Sequence, residues 1–212
     1  MKLYDFPAAP SPRKVVLFMA EKRIDIPRVI LDLRAGAQHE PEFLARNPGA
    51  TVPVLELDDG TCLTESLAIC QYLEALHPEP NLFGEDALER ALVSMWNDIA
   101  TFEGYTAIQE ALRNRVSGLA DRALPGPLPC PQIPALVERG ERRANAFFDR
   151  LELRLRDSEY VACGRYTYAD IATYVYATFA ERAFKRSPAD GRLAVERWMQ
   201  AVQARPAVQA AG

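Results

Sequence analysis

The 212-residue sequence predicts two parts of different class: an α/β part of βαβ-ββα order over residues 1–78 and an all-helical bundle over 86–212, joined by a linker at 79–85. Three observations predict this. Short alternating apolar runs occur only before Glu65, a break with two prolines and a glycine follows at 77–84, and beyond it apolar residues recur at helical spacing over long stretches.

Residues 2–6 (Lys-Leu-Tyr-Asp-Phe) read as a short strand, ended by a loop holding Pro7, Pro10 and Pro12, none of which can donate to a sheet ladder. Val15, Phe18, Met19 and Lys22 then follow helical spacing. After them Val29, Leu31 and Leu33 alternate with Arg28, Ile30 and Asp32 as a strand does, which makes a parallel crossover unit. Residues 41–46 suggest a short helix stopped at Asn47-Pro48-Gly49. Strands at 52–57 and 61–63 flank Asp58-Asp59-Gly60, a hairpin turn. From Ser66, the residues Ile69, Tyr72, Leu73 and Leu76 share one helical face until His77-Pro78 ends the run.

Past the linker the sequence predicts helices from 86 to about 117, over 135–156 with Ala144, Phe147, Phe148, Leu151 and Leu155 on one face, from about 168 to 183, and from about 193 to 204. Five prolines in 124–134 make the connection between the first two an irregular loop.

Composition narrows the function. Twenty-five basic against 29 acidic residues give a formal charge of −4 with no basic stripe, so nucleic acid is not an expected partner. The four cysteines, Cys62, Cys70, Cys130 and Cys163, form no C-x-x-C pair, so neither a dithiol motif nor a zinc ribbon is expected, and they read as reduced thiols. No metal is expected. The first residues lack the layout of a signal peptide and no apolar run approaches the ~20 residues of a membrane span, so the expected location is cytoplasmic, away from membranes.

Four local patterns stand out: Pro10-Ser11-Pro12-Arg13-Lys14-Val15, residues 47–55 (Asn-Pro-Gly-Ala-Thr-Val-Pro-Val-Leu), residues 63–69 (Leu-Thr-Glu-Ser-Leu-Ala-Ile) and residues 166–172 (Tyr-Thr-Tyr-Ala-Asp-Ile-Ala). In this order and at these separations the chain resembles the cytosolic glutathione transferase superfamily over essentially its whole length. The resemblance implies a thioredoxin-like glutathione-binding domain, an all-helical second domain and a homodimer.

The resemblance also implies roles. Pro53 is expected to be cis, turning the Val52 N–H and carbonyl toward solvent, where glutathione, itself a peptide, can pair with them as an added strand does. Ser66 is expected at a helix N-terminus, whose free amides and dipole favour the γ-glutamyl carboxylate, with Glu65 answering the ligand's ammonium. Gln38 and His39 match a loop that binds the glycine carboxylate in many relatives. Read without the resemblance, Val52-Pro53 is an ordinary trans bond and Ser66 an N-cap beside a solvated Glu65.

The reaction implied is attack by the glutathione thiolate, and a thiol with a pKa of about 8.5 needs a donor to stay ionised at neutral pH. Ser11 is the candidate. It stands two residues after Ala9, where serine-type relatives carry their serine, and Ser11-Pro12 equally suits a helix N-cap with proline at the first helical position. Main-chain N–H groups, water or a residue of the second domain remain open as the activating group. No cysteine occupies this loop, so the mixed-disulfide chemistry of cysteine-type members is not expected.

Trp96, Asn97, Phe102 and Tyr105 are candidates to line the place of a small hydrophobic electrophile, with plain helix-bundle core as the alternative. Arg113 and Arg115 favour an anionic co-substrate or simply face solvent. Thr167 and Asp170 are expected to cap a core helix. The expected function is conjugation of glutathione to small hydrophobic electrophiles. Its rivals are another glutathione-dependent reaction (isomerisation, dehalogenation, ether cleavage, peroxide reduction) and a non-catalytic binding module.

Overall fold

The computed structural model describes residues 1–211. They form two compact units, one of residues 1–80, 125–128 and 211, the other of 81–124 and 129–210.

In the first unit β1 (Lys2–Asp5), α1 (Pro10–Lys22), β2 (Arg28–Ile30), a short 3-10 turn at Ala37–His39, α2 (Pro41–Leu44), β3 (Val54–Glu56), β4 (Cys62–Thr64) and α3 (Ser66–Leu76) follow in the predicted βαβ-ββα order. The sheet runs β2-β1-β3-β4, with β1 parallel to β2 and the other two pairs antiparallel. Its apolar alternation buries Leu3, Val54 and Leu55 completely. α1 packs against α3, burying Val15, Leu17, Phe18, Ile69 and Leu73. Each fully buried aliphatic or aromatic side chain of this kind contributes about 1.5–3 kcal/mol. Lys22 fastens the layer: its buried Nζ donates to the His77 carbonyl (2.6 Å) and the Pro80 carbonyl (2.7 Å), beyond the C-terminal end of α3.

Two local differences from the sequence reading have clear causes. α1 begins at Pro10, inside the proline loop, because first-turn positions need no N–H and proline's fixed φ suits them; Ala9 is the N-cap, so Ser11 and Pro12 are the second and third helical residues. β2 stops at Ile30 because the Asp32 carboxylate accepts the Arg34 and Ala35 amides (2.9 and 3.3 Å) and turns the chain.

The second unit is helical: α4 (Ala87–Ile99), α5 (Thr106–Arg115), α6 (Ala135–Arg156), α7 (Tyr168–Phe184), α8 (Leu193–Gln203) and α9 (Pro206–Ala210). The single helix expected from 86 to about 117 is interrupted by a π-helical segment, Ala100–Tyr105. Gly104 lies in it beneath Phe147, where a Cβ would come within 2.8 Å of the ring. α5 and α6 approach just as closely at Gly140, where a Cβ would meet the Ala107 carbonyl at 2.7 Å.

At the centre, α7 starts with the expected capping box of Thr167 and Asp170. The fully buried Asp170 carboxylate accepts from the Val161 amide (2.9 Å), the Thr167 amide (2.9 Å) and hydroxyl (3.1 Å), and the Trp198 indole (3.0 Å). Burial pushes its pKa up while these four bonds oppose the rise. Arg165 secures the start of the unit, donating to the Asn81 carbonyl (2.6 Å) and to Glu89 (2.7 Å).

Candidate functional site

Strand register gathers the candidate residues. Tyr4 lies opposite Val54 and Val54 opposite Thr64, while β2 runs parallel to β1. The exit of β1 toward Ser11, the exit of β2 toward Gln38, the entry to β3 through Val52-Pro53 and the exit of β4 into Glu65-Ser66 therefore all lie at one end of the sheet. In open α/β sheets this end, beyond the carboxyl termini of the parallel strands, is where ligands bind.

The segment entering β3 is built to hold one shape. Asn47 Nδ2 donates to the Thr51 carbonyl (2.9 Å) and hydroxyl (3.0 Å), and its Oδ1 accepts the Gly49 amide (2.9 Å). Val52-Pro53 is cis. The Val52 side chain packs with Tyr4, Phe43 and Val54, while no main-chain hydrogen bond reaches its N–H or carbonyl among the described residues.

α3 opens without a side-chain cap. Its first intrahelical bond runs from the Ile69 amide to the Glu65 carbonyl (3.0 Å), so the Ser66, Leu67 and Ala68 amides have no partner within the helix. Ser66 is 4% exposed, whereas Glu65 is exposed and sits at φ 63, a conformation costing a non-glycine residue about 1–3 kcal/mol.

α1 differs. Of the four amides a helix start leaves unbonded, that of Ala9 donates to the Phe6 carbonyl (2.8 Å), and Pro10 and Pro12 have none. Only the Ser11 amide remains, on the same half-buried residue as the Ser11 hydroxyl, which has no partner among the described residues. The helix thus presents its positive end through one residue. That signal was available in the Pro-Ser-Pro spacing and is sharper than the N-cap reading it replaces.

Gln38 and His39 separate. Gln38 is buried with its Oε1 unpaired, and His39 is exposed. At the opposite end of the sheet Glu56 engages Arg46 (2.7 Å), Tyr4 (2.8 Å) and Lys2 (3.1 Å), and these bonds, that of Arg46 first, lower its pKa to about 2. Among the described residues no group of His, Cys, Asp and Glu is arranged to hold a metal ion.

Residues 3–81 match the family model of the glutathione S-transferase N-terminal domain and residues 119–206 that of the C-terminal domain. Glutathione S-transferase 2 of Saccharomyces cerevisiae is 35% identical over 99% of this chain and 88% of its own length. The chain belongs to the glutathione S-transferase family. The crystal structure of Gtt2 from Saccharomyces cerevisiae superposes on this transferase with a TM-score of 0.91 at 32% identity, covering all of both chains. A maleylacetoacetate isomerase of Pseudomonas aeruginosa is 40% identical over 43% of the transferase and 44% of its own length.

Of the expected lining residues in the helical unit, Trp96 and Asn97 are core, Phe102 is 64% exposed, and Tyr105 is half-buried with its ring stacked on Tyr176 at 4.7 Å. No helix among the described residues is long and apolar enough to cross a membrane.

Proposed function

We propose that this transferase binds glutathione at the gathered end of the sheet and conjugates its thiolate to small hydrophobic electrophiles. The observation that carries the reading is the coincidence, at that one end, of an unbonded Val52 peptide unit, an uncapped α3 and an α1 whose only free amide is that of Ser11. The Val52 N–H and carbonyl pair with the cysteinyl unit, as in strand addition. The γ-glutamyl carboxylate takes the Ser66 amide and hydroxyl, and Glu65 takes the ammonium. Gln38 is assigned to the glycine end beside His39, its side-chain NH2 donating to the carboxylate.

Ser11 faces the sulfur. Its amide and hydroxyl, with the positive end of α1 behind them, favour thiolate over thiol, and one pKa unit of that preference corresponds to about 1.4 kcal/mol. The thiolate then attacks the electrophilic carbon, a C–S bond forms, and the electron pair leaves with the displaced group or passes into the acceptor's π system.

Glutathione-dependent isomerisation is the second reading, favoured by the partial match to an isomerase. It keeps the same glutathione site and regenerates the thiol. The homodimer is assigned through α4 and the segment after it, where Leu88, Met95 and Phe102 recur every seven residues and are 67, 45 and 64% exposed. Cytoplasmic residence accords with four free cysteines.

Calorimetric titration with glutathione, together with thiolate absorbance of the complex, is the test. Micromolar to low-millimolar binding with a thiolate band supports conjugation, and absence of binding returns the chain to the class of non-catalytic modules. Product analysis with an aryl halide and with a cis-enone then separates conjugation from isomerisation.

A further inference from the structure

Residues 125–128 lie in the sequence between two stretches of the helical unit, yet they belong to the first compact unit. The excursion has a fixed base. The Cys130 amide donates to the Asp121 carbonyl (2.6 Å), the Ala123 amide donates to the Cys130 carbonyl (2.9 Å), and the Leu124 carbonyl accepts from Arg113 (3.2 Å). The tip has no such ties: Pro125 and Pro127 lack an N–H, and the Gly126 and Leu128 amides have no partner among the described residues. A tip without hydrogen bonds of its own is placed only by what it touches.

What it touches is the segment that enters β3 at the ligand end of the sheet. Gly126 is the half-buried residue of the tip, at φ 118, a conformation essentially reserved for glycine, and a Cβ there would lie 3.8 Å from the Gly49 carbonyl oxygen. Gly49 precedes Val52-Pro53 by three residues, and its amide is one of the groups that Asn47 holds. Beside it Ala50 is buried at φ 50, an unfavourable conformation for a residue with a Cβ. Strained backbone of this kind gathers at ligand clamps and switch regions. Leu128, by contrast, is 79% exposed. Two residues span at most about 7 Å, so this uncovered side chain stays near the Gly126 contact.

We propose that residues 125–128 are a strap that closes over the apolar acceptor once it is joined to the glutathione sulfur, with Gly126 staying on Gly49 and Leu128 covering the acceptor. The inference rests on the glutathione site proposed above and adds to it a device that holds the conjugate and slows its release. The leucine lacks cover, and the reaction delivers an apolar group to the same end of the sheet.

The test compares glutathione with S-hexylglutathione, whose alkyl chain stands in for the joined acceptor. Calorimetry of the full chain should show Leu128→Ser weakening S-hexylglutathione by about fivefold or more while glutathione stays within about twofold. Leu153→Ser, at another exposed leucine, should change neither. Equal affinity for S-hexylglutathione in the parent and Leu128→Ser, or an equal loss for both ligands, overturns the strap. Should Leu128→Ser fail to fold, NMR-observed exchange of the Gly126 and Leu128 amides in the parent decides. Slowing by about fivefold or more with S-hexylglutathione but not with glutathione supports closure, and any other result overturns it. A parent that binds neither ligand removes the glutathione site itself, whereas a failed strap leaves glutathione binding intact.

Discussion

α3 and α7 begin with nearly the same chemistry, a small hydroxyl residue next to or near a carboxylate, yet their starts are opposites. At α7, Thr167 and Asp170 are fully buried, the cap is extended, and the Asp170 carboxylate takes four hydrogen bonds from groups that have nowhere else to go. At α3, Ser66 is buried but uncapped, Glu65 points to solvent from a left-handed conformation, and the first-turn amides are open. A helix start that completes itself serves folding. One that keeps strain and free donors at the ligand end of a sheet is shaped for something the chain does not supply.

The largest expected effect tests the closed start. Asp170→Ala strands the Val161 and Thr167 amides and the Trp198 indole in a dry interior, and at about 1–3 kcal/mol for each unpaired group the full chain should lose on the order of 4 kcal/mol. Urea unfolding followed by tryptophan fluorescence measures it. A loss below about 1 kcal/mol would show that α7 does not depend on its cap.

The open start should respond with opposite signs in stability and binding. Glu65→Gly removes the left-handed penalty and so raises unfolding free energy by about 1 kcal/mol, after allowing for glycine's greater freedom when unfolded. On the proposed site the same change deletes the partner assigned to the glutathione ammonium, and the expected loss is about 1.5–3 kcal/mol, or roughly 10- to 150-fold in Kd. Glu65→Ala keeps the strain, so it should weaken glutathione equally without the gain in stability. If both variants bind glutathione like the parent, the open start is not the ligand's.

The two starts were not equally legible. The Thr167-x-x-Asp170 spacing announces a capping box because both partners lie in the chain itself. Ser66 announces a helix N-terminus, but nothing in Leu-Thr-Glu-Ser reveals that Glu65 adopts φ 63, since that is imposed by the turn from β4 into α3. The βαβ-ββα order was readable from periodicity because alternating and helical runs are long enough to differ. The ends of β2 and α1 were not: one depends on a side chain, Asp32, capturing the backbone, the other on prolines acting as helix starters rather than breakers. The π-helical segment also lay beyond reach, because Gly104 marks it only through its contact with Phe147. The separate fates of Gln38 and His39, one buried and one exposed, depend likewise on a single 3-10 turn.

A third helix start, that of α1, lies between these extremes, with one free amide where α3 has several. Ser11→Ala leaves that amide and removes the hydroxyl. If the hydroxyl acts on the thiolate as proposed, the conjugation rate should fall about tenfold or more, near 1.4 kcal/mol in the barrier, with glutathione Kd changed less than twofold. The thiolate absorbance should shift to higher pH in step. An unchanged rate and absorbance would assign activation to the amide and helix dipole alone.

The smallest effect comes from contrasting Asp170 with Glu56, a second carboxylate that takes several hydrogen bonds. Asp170 is wrapped in neutral donors and pushed up by burial, whereas Glu56 faces Arg46, Tyr4 and Lys2 and is pulled from 4.5 to about 2. A carboxylate depressed on folding stabilises the native state fully above its unfolded value and loses that contribution as pH falls through the folded one, so the window here runs from about 4.5 down to about 2. Glu89 and Glu110 are lowered as well, which makes the parent's acid profile a composite. Glu56→Gln isolates the term: thermal midpoints of parent and variant should differ by a constant amount above pH 5 and converge between about pH 4.5 and 2. Because the cations around Glu56 are partly solvated, 0.5 M salt should shrink the difference at neutral pH. Profiles that stay parallel down to pH 2 would mean that the Glu56 bonds persist on protonation, and that this carboxylate, like Asp170, is held by geometry rather than by charge.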